Sequence, residues 1–177
     1  MGPIEIFFLT VVLIFGVIGL VRGSARELGN SISLMFVVAI LGLTGELGWI
    51  DRLVTRLEIF GTTEQQVQSA SFLLISTLFL LIVLASYQGR TFDFSSKQAT
   101  GLWAAFSGLL AGLLNGYLCA GTVWHYADLY AYPFNALSGP LTATGQQLLG
   151  LLPQAIFPTP MMWAVPATAL MLVRILK

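Results

Sequence analysis

Residues 72–85 constrain the fold of this chain more than any other segment, because almost all of their side chains are apolar. With its flanks, this run extends over residues 66–87. A helix needs about 20 predominantly apolar residues to cross a bilayer. In lipid, the backbone must satisfy its own hydrogen bonds, and a helix does so within one segment. The segment therefore predicts a transmembrane helix.

Four other segments have a similar apolar character and length. They are residues 4–21, 28–45, 101–124 and 160–176. The last is the shortest and is interrupted by Pro166, so its crossing is left open. We therefore predict an all-α fold, namely a polytopic transmembrane protein with four to five spans. Residues 1–177 are expected to form a single transmembrane domain.

The composition supports a membrane environment and argues against a nucleic-acid partner. Only 9% of the residues are charged, whereas soluble domains have about 25%. So few charges cannot cover a surface that faces water, so the expected partner is the lipid bilayer. Eight basic residues balance eight acidic ones, and nucleic-acid binding would need a basic patch.

Basic residues indicate the orientation of the spans, because Lys and Arg prefer the cytoplasmic side of a membrane. With the N-terminus outside, six basic residues fall inside: Arg22, Arg26, Arg90, Lys97, Arg174 and Lys177. Arg52 and Arg56 then fall outside. The pattern predicts a multi-pass protein whose N-terminus lies outside. If all five segments cross, the C-terminus is cytoplasmic.

Two connecting segments have recognisable patterns. Residues 50–60 alternate apolar and polar side chains with helical spacing, which is typical of a short helix in the membrane interface. Thr62 or Thr63, with Gln65 or Gln66 three residues later, is expected to cap the third span.

Residues 126–159 form a Pro-rich segment without Lys or Arg, which suits an ordered cap on the outer surface. Within it, residues 147–157 are apolar enough to enter the interface. Trp and Tyr side chains favour membrane interfaces. The orientation places six of them near the outer interface: Trp49, Trp124, Tyr126, Tyr130, Tyr132 and Trp163.

Glycines four residues apart occur in two predicted spans. Gly108, Gly112 and Gly116 form a strip in the segment 101–124, and a shorter pair, Gly19 and Gly23, ends the first span. Such spacing lets another helix approach closely, and the nearby Asn115 could hydrogen-bond across helices. Packing within one chain is favoured, and packing against a second copy or another membrane protein is the alternative.

The charged residues Arg22, Arg26 and Glu27 lie where the first two spans meet the inner face. A charge at membrane depth is costly and indicates a functional site. Arg22 and Arg26 share one face if the helix continues through this break. The favoured interpretation is anchoring of the hairpin, and contact with an anionic lipid or solute is the alternative. Glu5 is interpreted as an interfacial residue.

Few residues suggest chemistry. His125, the single histidine, lacks a second metal ligand nearby and is expected at the interface. Cys119 is expected to be a packing residue. The sequence contains no phosphate-binding loop, haem spacing or nucleophile elbow. No catalytic residue, metal or cofactor is therefore predicted, and the chain is expected to be non-enzymatic.

The first span resembles the opening of the CvpA family, the colicin V production proteins. The resemblance consists of Glu5, an apolar run, and the sequence Gly-Leu-Val-Arg-Gly-Ser-Ala-Arg-Glu-Leu from Gly19 to Leu28. The glycine strip resembles the glycine-rich span of the family, and the likeness covers residues 1–125. Asn115 stands where the family often has a basic residue. The resemblance implies an inner-membrane protein that supports peptide-toxin export or envelope homeostasis.

Two other functional classes remain open at the sequence level. One is an accessory subunit of a larger respiratory or photosynthetic membrane complex, which would suit the low charge. The other is a transporter or channel component. A transport path needs polar residues within the membrane, and the candidates for it are Arg22, Arg26, Glu27, Asn30 and Asn115.

Overall fold

The computed structural model describes residues 2–58, 61–88, 101–133 and 141–176. Within these ranges the chain forms α-helices and no β-strands. The helices are α1 Pro3–Arg22, α2 Ser24–Glu46, α3 Trp49–Arg56, α4 Glu64–Gln88, α5 Leu102–Leu129, α6 Ala143–Leu149, α7 Pro153–Ile156 and α8 Pro160–Ile175. In these ranges, α1, α2, α4 and α5 are long and apolar enough to cross a membrane. The predicted all-α multi-pass fold is confirmed.

A single residue, Gly23, separates α1 from α2. Its φ of +83° lies in a region that glycine reaches without a steric penalty. The second span was predicted to begin at residue 28, but α2 begins at Ser24. Ser24 to Glu27 form the first turn of α2. The acidic side chain of Glu27 suits this turn, because the helix dipole favours a negative charge at the N-terminal end.

The glycines of α1 and α5 lie at the contact between these two helices. A Cβ atom on Gly19 would lie 2.2 Å from the carbonyl oxygen of Gly108. One on Gly112 would lie 2.3 Å from the carbonyl oxygen of Phe15, and one on Gly116 would lie 2.7 Å from the Cα of Val12. The backbones of α1 and α5 therefore approach more closely than any larger residue would allow.

Two groups of buried apolar side chains form the core. One lies between α2, α4 and α5 and includes Leu34, Val38, Ile75, Phe79 and Leu118. The other joins α1 and α5 to the segment after α5 and includes Ile4, Phe8, Ala120, Trp124 and Leu152. The outward faces of the long helices expose aliphatic side chains, as expected of surfaces in contact with lipid.

The last helix, α8, runs antiparallel to α2 along most of its length. Pro160 lies near Gly42 towards the end of α2. At the other end, the guanidinium of Arg174 donates to the carbonyl oxygen of Ala25. With 16 residues, α8 is shorter than the four long helices. Pro166 lies inside the helix and does not end it.

Two further boundaries differ from the sequence prediction. The short helix expected over residues 50–60 ends at Arg56, and Glu58 then takes a φ of +49°. Ile59 and Phe60 lie outside the described residues. The helix expected to end at residue 124 continues to Leu129, because Tyr126 and Ala127 are buried against other helices and stabilise the extra turn.

Residues 141–156, here called the outer cap after their predicted side of the membrane, contain α6 and α7. Tyr117 of α5 donates a hydrogen bond to the carbonyl oxygen of Leu151 (2.6 Å), and Gln154 donates to Thr122 (2.8 Å). Pro153 contacts the backbone at Gly121. The cap is thus packed on the end of α5, and its helical structure was not predicted from the sequence.

The aromatic residues expected at the outer interface divide into two groups. Trp49 is 58% exposed. Trp124, Tyr126 and Trp163 lie near the same end of the bundle but are buried. The indoles of the two tryptophans bond inside the protein: Trp124 donates to the Tyr132 hydroxyl (3.1 Å), and Trp163 donates to the carbonyl oxygen of Phe157 (2.9 Å). They therefore act as packing residues.

Candidate functional site

The strongest candidate site is a cluster of polar side chains at the end of the bundle where α1 ends and α2 begins. At its centre is Glu27, whose side chain has no solvent exposure. The hydroxyl of Tyr87, near the end of α4, donates to Oε2 of Glu27 (2.7 Å). The amide of Asn115, from the middle of α5, donates to the same oxygen (2.8 Å). Three helices therefore meet at one carboxylate.

Arg22 supplies the positive charge of the cluster. Its Nη1 lies 3.4 Å from Oε1 of Glu27, and its Nη2 donates to the carbonyl oxygen of Tyr87 (3.2 Å). The guanidinium also lies over the Tyr87 ring, 4.6 Å from the centroid, as in a cation–π contact. Arg22 is the last residue of α1, so the cluster joins α1, α2, α4 and α5.

Polar side chains of α2 extend the network. The Ser31 hydroxyl donates to Oδ1 of Asn115 (2.7 Å), and the Asn115 amide also donates to the backbone oxygen of Glu27 (2.9 Å). In the amide orientation that satisfies both of its groups, the oxygen of Asn30 accepts from Arg22 (3.0 Å). Its nitrogen then donates to the carbonyl oxygen of Ser86 (3.2 Å). Asn30, Ser31 and Asn115 are all buried.

The arrangement keeps a charge inside an apolar bundle. A buried carboxylate is tolerated when a cation and hydrogen-bond donors replace its water. Here one guanidinium, one phenol and one amide surround it. Oε1 of Glu27 makes no hydrogen bond to the described residues and has only the ionic contact with Arg22. The cluster links four helices through one carboxylate and one guanidinium.

The cluster does not continue as a polar path through the described part of the bundle. Beyond Asn30 and Ser86, the space between α2, α4 and α5 is filled by the apolar side chains of Leu34, Val38, Ile75, Phe79 and Leu118. Each of these is almost completely buried. Such a layer has no group that could replace the hydration of an ion.

The structure separates the two arginines that the sequence places together. Because the helix is interrupted at Gly23, Arg22 and Arg26 belong to different helices and do not share a face. Arg22 turns inward to Glu27, whereas Arg26 is exposed. The predicted residues Arg22, Glu27 and Asn115 are brought together, and Gly19, Gly23, Gly108, Gly112 and Gly116 lie at or beside the adjacent α1–α5 contact.

A second buried carboxylate, Glu5, lies at the opposite end of α1. The sequence suggested an interfacial residue, but Glu5 has no solvent exposure. It accepts a hydrogen bond from the backbone N–H of Gly2 (2.8 Å) and another from the hydroxyl of Thr142. Thr142 caps α6 through the N–H of Gly145 (3.1 Å). Glu5 therefore links the start of α1 to the outer cap.

Three polar residues that matter here were not predicted as site residues. They are Ser31, Tyr87 and Thr142. No short-range pattern identifies them, since Tyr87 and Thr142 reach carboxylates 60 and 137 residues away. A signal did exist for Glu5, because an acidic side chain at the third helical position can accept from the N–H of the N-cap residue, which is one half of a capping box.

The remaining candidates show no chemical constellation. Among the described residues, no group of three His, Cys, Asp or Glu side chains could hold a metal ion. Cys119 is buried in the core. The His125 ring lies edge-on to that of Tyr126, with centroids 5.3 Å apart.

Comparison of the chain with protein-family models, with curated proteins and with solved structures gives no match. Function must therefore be inferred from the geometry of these residues.

Proposed function

We propose that this chain is a CvpA-like, non-enzymatic protein of a bacterial inner membrane that serves as a helical scaffold in peptide export or envelope maintenance. The observation that carries the proposal is spatial. The two segments that carry the resemblance are far apart in sequence but adjacent in the structure. Gly19 lies against Gly108 and Gly112, next to the pair formed by Arg22 and Glu27. Close helix packing and neutralisation of a buried charge both need such contacts.

Asn115 departs from the family pattern. The resemblance implies a basic side chain at this position, next to the last glycine of the strip. Asn115 keeps one function of such a residue, since its amide donates to the carboxylate of Glu27. The positive charge of the cluster comes from Arg22. The departure from the family pattern is therefore compatible with the same helix arrangement.

We further propose that the N-terminus lies outside and that the end carrying the polar cluster faces the cytoplasm. Arg22, Arg26 and Arg174 lie at that end, whereas Arg52 and Arg56 lie on α3 at the other. The prediction also counts three basic residues that lie outside the described part of the chain, namely Arg90, Lys97 and Lys177. An excess of basic residues marks the cytoplasmic side.

Complementation tests the proposed function. The chain would be expressed in a bacterium that lacks its own CvpA-family protein, and export of a peptide toxin would be measured. We expect export to be restored by the wild-type chain and reduced by Glu27→Gln at equal membrane levels. A wild-type chain that inserts fully and restores nothing would show the proposal to be wrong.

A second candidate function is an accessory subunit of a larger membrane complex. The first turns of α5 favour it, because Leu102 and Trp103 are more than 80% exposed at the end of the bundle. Native mass measurement after mild extraction separates the two candidates. Stable co-purification with redox or pigment proteins would favour the accessory-subunit function. A lone chain or a homo-oligomer would exclude that function.

The third possibility from the sequence, a transporter or channel component, is not supported by a specific observation. The polar residues on which such a path would depend lie at one end of the bundle, and the apolar layer between α2, α4 and α5 fills the space beyond them.

A further inference from the structure

The short helix α3 exposes a surface that the bundle does not use. One side of the helix faces the protein: Val54 has no exposure, and Asp51 accepts hydrogen bonds from Ser71 (2.6 Å) and Tyr130 (3.0 Å). Trp49, Leu53 and Leu57 follow at intervals of four, so they form a stripe along one flank. Their exposures are 58%, 48% and 60%.

Two arginines one helical turn apart lie beside this stripe. Arg52 is exposed but engaged, because its guanidinium donates to the backbone oxygens of Leu47 and Gly48 after α2. Arg56 is also exposed, and it forms no hydrogen bond or ion pair with the described residues. A guanidinium with free donors is well suited to bind a phosphate group in two-point geometry.

The depth of α3 follows from its contact with α4. Ser71, which bonds to Asp51, directly precedes the apolar run 72–85 of α4. This run marks the hydrocarbon region of the bilayer. The helix α3 therefore lies at the level where hydrocarbon gives way to headgroups, and the bilayer itself covers its exposed flank.

We propose that α3 is a binding site for an anionic phospholipid. Arg56, with Arg52 beside it, binds the headgroup phosphate, and the acyl chains pack against Trp49, Leu53 and Leu57. Charge complementarity and an apolar stripe at interfacial depth together define this class of ligand. The inference needs only that the long helices cross a membrane, so it does not depend on the proposed scaffold function.

Lipid retention tests the site. The full chain would be reconstituted into phosphatidylcholine bilayers that contain a minor fraction of phosphatidylglycerol, and retained lipid would be counted by native mass spectrometry. We expect Arg56→Gln to bind phosphatidylglycerol about fivefold more weakly, which corresponds to the loss of one basic side chain near an anionic surface. Unchanged retention would overturn the proposal.

Arg26→Gln is the matched control, because it removes the same charge from an exposed position at the other end of the bundle. We expect this control to retain lipid as the wild type does. An equal loss in both variants would assign the effect to net charge and overturn the site.

A second measurement examines the apolar stripe. Lipids brominated near the headgroup should quench more tryptophan fluorescence in the wild-type chain than in Trp49→Phe. Lipids brominated at the end of the acyl chain should quench the two proteins equally. If the two proteins are quenched equally by both lipids, Trp49 does not contact the upper acyl region and the proposed site is wrong.

Discussion

At the scale of single residues, the carboxylate of Glu27 shows how a charge is kept inside an apolar bundle. Its partners Tyr87 and Asn115 lie 60 and 88 residues away in the sequence. The sequence predicts that a charge at this depth matters, because an unpaired one is costly. It cannot predict which distant side chains neutralise the charge, since helix periodicity specifies faces and not neighbours.

Glu27→Ala should destabilise the protein strongly. The substitution leaves Arg22 and the Tyr87 hydroxyl without their shared acceptor, and removal of one partner from a buried ion pair costs about 3 kcal/mol or more. The reaction of a thiol-specific dye with Cys119 reports unfolding, because this single cysteine is buried. We expect dye reaction at a lower temperature than in the wild type.

Glu46→Ala serves as the control for that experiment. Glu46 is exposed at the last position of α2, where a negative charge opposes the helix dipole. Its removal should change the free energy of unfolding by less than about 0.5 kcal/mol. Similar melting temperatures for the two variants would mean that the polar cluster contributes no special stability.

At the scale of helices, length and apolar character predicted the long elements well, and tertiary contacts decided their ends. The sequence placed the end of the helix that became α5 at residue 124, yet buried Tyr126 and Ala127 extend it to Leu129. The outer cap was expected as an ordered surface segment. Its helices α6 and α7 depend on Glu5 and α5 and therefore could not be derived from local sequence.

The contact between α1 and α5 should be sensitive to one added methyl group. In Gly19→Ala, the new Cβ atom would lie 2.2 Å from the carbonyl oxygen of Gly108, so the helices must separate. Forcing extra volume into a packed contact costs about 1–3 kcal/mol. The temperature at which Cys119 reacts should fall accordingly.

Gly45→Ala is the matched glycine control. No atom lies within 4 Å of the position where its Cβ would be placed. Alanine is favoured over glycine within helices by up to about 1 kcal/mol, so this variant should melt at or slightly above the wild-type temperature. Equal destabilisation of both glycine variants would contradict a specific close approach at Gly19.

The outer cap should loosen when Glu5 is changed to glutamine. Gln keeps the size of the side chain but loses the charge that accepts from Gly2 and Thr142. We expect amide hydrogen exchange to accelerate in α6 while exchange in α8 stays as in the wild type. Thr144→Ala, at an exposed position of α6, should leave both rates unchanged. If the amides of α6 exchange as slowly in Glu5→Gln as in the wild type, other contacts hold the cap in place.

At the scale of the whole molecule, the described residues form a bundle with a different character at each end. One end contains the polar cluster and the C-terminal part of α8, and the other contains α3 and the outer cap. An apolar layer lies between them. Binary patterning predicts such a bundle, whereas the pairing of α8 with α2 emerges only from the folded structure.

The two ends should react from opposite sides of the membrane. In a Cys119→Ala background, Thr144→Cys places a thiol on the outer cap and Leu176→Cys places one just after α8; both positions are exposed. We expect an impermeant reagent added outside intact cells to label only Thr144→Cys. Labelling of both variants from outside would mean that α8 does not cross the membrane. Labelling of Leu176→Cys alone would mean that the orientation is opposite to the proposed one.

The single-residue link at Gly23 also has a consequence for biogenesis. Chains emerge from the N-terminus, so Arg22 and Glu27, five positions apart, are available to each other before α4 and α5 are made. The pair can enter the bilayer within one hairpin whose charges already offset each other. Tyr87 and Asn115 become available later, when α4 and α5 have been made. The order of synthesis is therefore also the order in which the buried carboxylate acquires its partners.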